Sequence, residues 1–369
     1  MKSNYRYIVK AFMAMAVIAG TTSCDDFLDR EPMSSISPET YYSTAAQLEA
    51  NLNDEYPNVL PSFGQWTYGI FGEDKGTDNQ IEVNANDRYT QDRWKVPHSE
   101  SDNWKFERIY RINFFLSEAL PKFGEDMSGS QNTISGSVAT IKHYIGEMYF
   151  LRAYEYFKKL QLFGDFPIIN QPLADEMEAL REASKRFPRN EVARFIISDL
   201  DKAYAYMSDV DMATTRINKD VAMLVKSRVA LFEATWLQNF KGTAFVPGGE
   251  GWPGASLHNN YQYPSGNIDN EVKYFLEQAV EASKLVADKY KGSLTENTGV
   301  LQQSADDPSN PYFDMFAQED LSDVKEVLLW RQYARGLSTH NINAAAGRGN
   351  YRIGLTRGFV QNFLMKDGT

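Results

Sequence analysis

The only cysteine of the chain, Cys24, is placed where a thiol can receive a lipid. It follows a basic and then apolar stretch over residues 2–20, which is typical of an export signal. The apolar run is too short to cross a bilayer as a helix, so we interpret residues 1–23 as a removable signal peptide. Acyl chains on the sulfur and on the new amino terminus would together hold the protein at a membrane. The sequence therefore predicts lipid attachment at Cys24, with an ordinary signal peptide before an unmodified cysteine as the alternative.

A second chemical signal is the mixture of aromatic and polar side chains in long aperiodic loops, at residues 58–103, 240–268 and 334–356. Loops of this length in a compact protein are usually functional. Indole and phenol rings offer flat faces to ligands with apolar patches, sugars included, while amides and charged groups bind hydroxyls. The predicted ligand-binding residues are Trp66, Tyr68, Asp78, Asn79, Arg88, Tyr89, Trp94 and Trp252. Each aromatic residue could instead pack beneath its own loop.

Motifs for catalysis or cofactor binding are absent from the sequence. There is no nucleophile elbow, zinc-protease helix, phosphate-binding loop or cysteine pair, and His98, His143, His258 and His340 lie in unrelated segments. The run Asp74–Asn79 lacks the alternating oxygen ligands and distal glutamate of a calcium loop, so a solvated turn is favoured. We therefore expect a protein that is not an enzyme and that carries no cofactor.

Charge and composition narrow the possible partners. The formal net charge of −11 argues against binding to nucleic acid or adsorption to anionic lipid through a basic patch. One cysteine allows no intramolecular disulfide, so the fold must depend on its core. Residues 24–36 are polar, acidic and interrupted by proline, and they are interpreted as a tether.

Apolar residues recur at helical spacing along much of the remaining chain. Helices are predicted over residues 37–57, 104–120, 138–163, 190–207, 221–232 and 272–286. Ser37 with Pro38 indicates a helix start, and Pro57 indicates the end of the same helix. Asn190 is interpreted as another cap, and Arg152, on a helix apolar on two faces, should bond a carboxylate or exposed carbonyls. Stacked helical hairpins are favoured over a closed four-helix bundle, although no repeat of fixed period is visible.

Six segments, in order, resemble blocks of the SusD/RagB family of outer-membrane nutrient-binding lipoproteins. They are CDDFLDREP from Cys24, GEMYFLRAYEYFKKLQLFGDFPII over residues 146–169, RNEVARFIISDLDKA from Arg189, INKDVAMLVKSRVALFEA from Ile217, EVLLWRQY from Glu326, and LTRGFVQNFLMKDG from Leu355. The block at 146–169 is the most recognisable, but its glycine, aspartate and proline serve mainly to end a helix and turn the chain.

The resemblance implies a mostly helical fold over residues 37–369, built on four tetratricopeptide-like helix pairs with an irregular, loop-rich subdomain. It also implies a lipoprotein of the outer membrane, facing the cell exterior, with a SusC-like TonB-dependent transporter as partner. The leading hypothesis is capture of an oligosaccharide; a peptide ligand is the alternative, and a surface glycoside hydrolase is less favoured. Family members continue beyond a step like Asp367–Gly368, so we expect the C-terminal part of the domain to be missing from this chain.

Overall fold

The computed structural model describes residues 41–63, 74–82, 103–124, 126–208, 212–300, 304, 306–334, 339–340, 353–363 and 368. The predicted signal peptide and tether, with Cys24, lie outside these residues, as do Ser37 and Pro38. In the described part of the chain, no helix is both long and apolar enough to cross a membrane.

The described structure is mostly helical, as the apolar periodicity predicts. The helices are α1 (Ala45–Val59), α2 (Glu107–Phe123), α3 (Val138–Phe163), α4 (Met177–Ala183), α5 (Arg189–Tyr206), α6 (Lys219–Asn239), α7 (Ile268–Tyr290), α8 (Pro311–Met315) and α9 (Arg357–Gln361). Two short strands, β1 (Gln80–Glu82) and β2 (Ile353–Leu355), pair antiparallel with Ile81 opposite Gly354.

The long helices pack in chain order into a stack, with α3 near its centre. Helices α1 and α2 contact one side of α3, α5 contacts another, and α6 and α7 follow in turn. The bounds of α3 coincide with the predicted segment, because Ser137 caps its start and Gly164, at φ +67°, ends it. Its rings and aliphatic side chains are buried nearly all round, which is what an apolar pattern on two faces requires.

The predicted first helix is not continuous, since residues 42–44 are not helical, and its end differs from the prediction; the predicted start at Ser37 and Pro38 lies outside the described residues and stays a prediction. Helix α1 begins at Ala45, where the Thr44 hydroxyl accepts the Gln47 N–H and the Gln47 side chain accepts the Thr44 N–H. It continues past Pro57 to Val59. A proline in the final turn removes only one hydrogen bond of the helix, so it need not end the helix there.

The predicted cap of α5 is also wrong. The helix begins at Arg189, whose N–H is accepted by Asp165 Oδ1 at 2.9 Å. The Asn190 side chain is instead buried, and its amide donates to the Tyr261 hydroxyl at 2.9 Å and to Glu271 Oε1 at 3.0 Å. Asn190 therefore links α5 to α7 rather than capping its own helix.

Two predicted apolar stripes are only partly covered. Tyr110, in the second stripe of α2, is 51% exposed, and Leu276 of α7 is also exposed. In the described part of the chain α7 packs mainly on α6, so one face of α7 stays open to solvent.

Ion pairs connect neighbouring helices or the segments between them. The pairs are Arg111–Glu55, Arg152–Asp199, Arg216–Glu147, Arg189–Glu233 and Arg194–Glu271. In each of them the carboxylate is almost fully buried. Breaking such a pair leaves an uncompensated charge in the core, so these contacts fix how the helices pair.

Arg152 is bonded as the sequence analysis predicts. Its Nε and Nη2 donate to the Asp199 carboxylate at 2.7 and 2.9 Å, and its Nη1 donates to Asn113 Oδ1 and to the Asn170 carbonyl oxygen. Burial lowers the pKa of Arg152, but the Asp199 charge and hydrogen bonds outweigh burial and raise it. The guanidinium therefore stays charged and holds α5 and α2 against α3.

Candidate functional site

A cavity of about 660 Å³ opens between α1, α3, α6 and the segment 329–332. We call it the Trp330 cavity. Its volume lies within the range of about 300–1,000 Å³ that is usual for small-molecule sites. Its wall combines aromatic rings with amide, hydroxyl and guanidinium groups, which is the mixture that a polyhydroxylated ligand with apolar ring faces requires.

Trp330, Tyr154 and Phe150 contribute aromatic rings to the lining of the cavity. The Trp330 indole is half-buried and fixed, because its backbone N–H donates to the Thr214 carbonyl oxygen at 3.1 Å and its Nε1 donates to Thr214 Oγ1 at 2.9 Å. Tyr154 stacks on Phe150 with ring centroids 6.1 Å apart. Among the described residues, the Tyr154 hydroxyl has no hydrogen-bond partner and is therefore available to a ligand.

Arg216 contributes a guanidinium to the lining of the same cavity. Its Nε and Nη2 donate to the two oxygens of Glu147 at 3.0 and 2.8 Å, and its Nη1 donates to Asn53 Oδ1 at 2.9 Å. Burial lowers the pKa of Arg216, but Glu147 outweighs burial and raises it. The group stays charged, while its pairing with Glu147 leaves little net charge at the wall.

Tyr56 completes the same network. Its hydroxyl donates to Glu147 Oε2 at 2.6 Å and accepts the Ile217 N–H at 2.9 Å. Burial, followed by the charge of Glu147, raises the pKa of Tyr56 well above its usual value, so the phenol is neutral at physiological pH. The network fixes the turn before α6 against α1 and α3, and so sets the width of the cavity.

One rim of the Trp330 cavity is the point where α1 leads into the long aperiodic loop. Pro61 lines the cavity, and the exposed Arg331 side chain donates to the Ser62 hydroxyl. The chain continues from there into residues 64–73, which lie outside the described part. Five predicted binding residues, Trp66, Tyr68, Arg88, Tyr89 and Trp94, also lie outside it, and their role stays a prediction.

Asp78 and Asn79 lie in the turn before β1, away from the cavity lining. The Asn79 amide donates to Asp74 Oδ2 at 3.2 Å, and the Thr356 hydroxyl donates to the Asp78 carbonyl oxygen. The Asp78 side chain is exposed. The turn is thus held to the segment after β2, and the ligand-binding role of Asp78 and Asn79 stays a prediction.

Trp252 lies in a different cavity, of about 520 Å³, at the end of α3; we call it the Trp252 cavity. Trp252 is only 5% exposed, and its Nε1 donates to Asp165 Oδ2 at 2.7 Å. His258 stacks on the indole with centroids 6.0 Å apart, and Gly254 lies against it so closely that a Cβ would be 2.2 Å from the ring. Packing beneath its own loop therefore accounts for this indole, and ligand contact by Trp252 stays a prediction.

The sequence analysis did not select Trp330, Arg216 or Tyr154. Trp330 appeared only within the EVLLWRQY block, because it lies outside the three loops that were selected for their aromatic residues. Arg216 and Tyr154 gave weaker signals, because a tyrosine on a helix and an arginine before one are usually structural. Their meeting at one cavity follows from the packing of α1, α3 and α6.

The described residues thus form a stack of helices with two cavities at its edges. The model of a SusD-like family, described as "Starch-binding associating with outer membrane", matches residues 26–231. The chain belongs to this family of SusD-like proteins, as the six sequence blocks indicated.

Among its relatives, SusD-like protein P2 of Formosa agariphila is 25% identical over 253 residues, which cover 65% of this chain and 46% of that protein. SusD-like protein P25 of the same organism is 25% identical over 233 residues, covering 58% and 41%. The chain thus spans less than half the length of these relatives. The crystal structure of a SusD-like carbohydrate binding protein from Bacteroides fragilis has a TM-score of 0.51 at 14% identity, covering 89% of this chain and 55% of that one. At this identity the likeness establishes the fold alone, and it agrees with the predicted SusD-like helical fold.

Proposed function

We propose that the protein is a lipoprotein of the outer-membrane surface that binds a nutrient oligosaccharide and delivers it to a SusC-like TonB-dependent transporter. The family is described as starch-binding and as associating with the outer membrane, which supports the ligand class and the location. Anchoring through Cys24 and exposure to the cell exterior are parts of the same proposal.

The observation that carries the ligand class is the fixed Trp330 indole in a cavity whose lining also includes Arg216, Asn53 and the Tyr154 phenol. A pyranose ring stacked on the indole would place its hydroxyls toward Arg216, Asn53 and the Tyr154 phenol. Because Arg216 is paired with Glu147, the polar part of the lining offers hydrogen-bond donors without a strong electrostatic field. Such a lining suits an uncharged sugar.

The test is calorimetric titration with maltoheptaose, cellohexaose, mannohexaose and xylohexaose. At least one should bind, and Trp330→Ala should weaken that binding about tenfold, or by about 1.4 kcal/mol. Tyr110→Ala is the matched control, since Tyr110 is an exposed aromatic residue on α2 that lines neither cavity. Equal affinities for the wild type and Trp330→Ala would remove Trp330 from the site.

The two alternative functions, peptide uptake and hydrolysis, can be distinguished from glycan binding by experiment. Binding of mixed oligopeptides without binding of any glycan would replace the glycan proposal with peptide uptake. Release of reducing ends from polysaccharide, or of new amines from protein, would instead identify a surface hydrolase.

Anchoring and orientation are tested in cells. Cys24→Ala should move the protein from the membrane fraction to the soluble fraction, and Cys24→Ser is a closer steric control that should behave alike. Protease added to intact cells should digest the wild type. Protection under these conditions would place the protein on the inner side of the membrane and contradict uptake at the surface.

A further inference from the structure

We infer that the Trp252 cavity is a second, separate binding site, and that it takes a sugar carrying an anionic group, such as a uronic acid residue. The site lies where α3 ends, α5 begins and the loop 240–267 crosses them. None of its lining residues also lines the Trp330 cavity. The inference relies on the proposed function only in taking the ligand to be a carbohydrate.

The first argument is the exposure of large apolar side chains at this cavity. Phe245 is 62% exposed, Leu162 is 59% exposed and Leu257 is 53% exposed, and all three line the cavity. The backbone of Phe245 is held in place, because Trp236 Nε1 donates to its carbonyl oxygen at 3.0 Å. Exposed apolar side chains grouped around a concavity are typical of a binding site.

The second argument is a guanidinium without a carboxylate partner. Arg186 lines the cavity, is exposed, and lies over the Trp104 ring at 4.6 Å from its centroid. Among the described residues it forms no ion pair, whereas the adjacent Lys185 is paired with Glu182. Its backbone is held by His258, whose Nε2 lies 2.8 Å from the Arg186 carbonyl oxygen. A fixed backbone and a supported guanidinium favour recognition of a carboxylate or sulfate.

A second guanidinium reaches the cavity floor. Arg189 uses Nε and Nη2 to bind the buried Glu233, while its Nη1 has no acceptor among the described residues. That nitrogen lies against Gly164, since a Cβ at this glycine would be 3.4 Å from it, and Gly164 lines the cavity. The Nη1 hydrogens are therefore placed to donate to a ligand oxygen.

The negative groups at the cavity are already engaged. Glu233 is fully buried and bound by Arg189, and Asp165 accepts one N–H on each of its oxygens, from Trp252 and from the Arg189 backbone. Burial raises the pKa of Asp165, while its hydrogen bonds from Trp252 and Arg189 and the charges of Arg189 and Arg186 oppose that rise. The charge that faces the opening is thus that of Arg186, so a neutral sugar would leave it unused and an acidic one would pair with it.

The experiment is calorimetric titration with trigalacturonate, with carboxyl-reduced trigalacturonate as the uncharged match. The wild type should bind the acid and not the reduced form, and Arg186→Gln and Phe245→Ala should each weaken binding about tenfold. Lys185→Gln is the matched control, because it removes a neighbouring cation that does not line the cavity. Trp330→Ala should leave this affinity unchanged. A sulfated neutral trisaccharide distinguishes sulfate from carboxylate, and binding of either anion with the same dependence on Arg186 supports the inference.

Four results would overturn it: equal binding of the reduced trisaccharide, no effect of Arg186→Gln, loss of binding in Trp330→Ala, or no binding of either anionic sugar. Circular dichroism checks that each variant is folded. The side chains of Arg186 and Phe245 are both exposed, so their substitution should not disturb the core. If the anionic sugars do not bind but a neutral oligosaccharide still does, only the second site is refuted. Failure of all glycans refutes the proposed function.

Discussion

The Trp330 and Trp252 cavities each contain a tryptophan on a loop, yet the two indoles differ in how completely the protein packs around them. Trp252 has His258 on one side, Gly254 against its ring and Asp165 on its Nε1, so the packing of its own loop accounts for it. Trp330 is fixed by Thr214 alone among hydrogen-bond partners in the described residues, and it remains half-buried at a cavity wall. Aromatic residues on loops therefore become ligand platforms only where their ring faces are left uncovered.

The cavities also differ in how they are assembled. The Trp252 cavity is closed by a loop that follows α6 directly and folds back on the end of α3. The Trp330 cavity joins segments far apart in sequence, since Trp330 and Thr214 are 116 residues apart. The first is thus an extension of the helical stack, whereas the second depends on docking of a distant segment. Loss of the Trp252 indole should consequently reduce mainly the stability of the fold, whereas loss of the Trp330 indole should reduce mainly ligand binding.

The largest expected effect is that of Trp252→Ala on stability. Removing a buried indole leaves a void and frees Asp165 Oδ2, so the free energy of unfolding should fall by about 3–5 kcal/mol. Trp330→Ala removes a half-buried ring and should cost less than half as much. Urea unfolding followed by circular dichroism measures both. Equal losses of unfolding free energy in the two variants would show that both indoles are structural, and the difference argued here between the two cavities would be refuted.

Gly254→Ala should perturb the same loop without removing any contact. The new Cβ would lie 2.2 Å from the Trp252 ring, so the ring or the 3₁₀ turn at Pro253–Ser256 must shift. We expect a loss of about 1–3 kcal/mol, the range usual for overpacking. Gly292→Ala is the control, because a Cβ there meets no atom within 4 Å. A Gly254→Ala variant as stable as Gly292→Ala would show that the loop is not packed closely on the indole.

Tyr56→Phe tests the polar network of the Trp330 cavity. It removes two hydrogen bonds, to Glu147 and from Ile217, and should cost about 1–3 kcal/mol at pH 7. The pKa of Tyr56 is raised on folding, so its contribution is complete below the unfolded value near 10 and is lost as pH rises above it. The stability difference between wild type and variant should therefore shrink above pH 10. The other tyrosines titrate in both proteins and cancel, and a difference independent of pH between 8 and 11 would contradict the assigned network.

The contrast between helices and sites also explains what could be predicted from the sequence. The bounds of α3 were predicted because its apolar pattern, Ser137 and Gly164 all agree. The start of α5 was wrong because the deciding partner, Asp165, is 24 residues earlier in the chain. Local pattern specifies an element, but a cap supplied from elsewhere is visible only in the folded structure.

The site was less accessible to sequence reasoning for the same reason. Composition identified loops with aromatic residues and led to Trp252, but it could not reveal that His258 and Gly254 cover this ring. Nor could it place Arg216 beside Trp330, which requires the packing of three helices and a distant segment. Family resemblance predicted the fold and suggested the ligand class that we propose, while the choice of residues depends on which ring faces the tertiary structure leaves open.

The smallest expected effect concerns the rim of the Trp330 cavity. Arg331→Ala removes the bond to the Ser62 hydroxyl, but both side chains are exposed, so the free energy of unfolding should change by no more than about 0.5 kcal/mol. The local effect should be larger than the global one, because this bond holds residues 61–63 against the segment of Trp330. Hydrogen exchange of the Ser62 and Phe63 amides should therefore become faster, while exchange in the centre of α3 stays unchanged. Arg181→Ala, which removes an exposed arginine paired on α4, is the control and should leave the rim unaffected. Unchanged exchange at Ser62 and Phe63 in Arg331→Ala would show that the Arg331–Ser62 bond does not hold the rim, and the Thr214 contacts of Trp330 would then be the next to test.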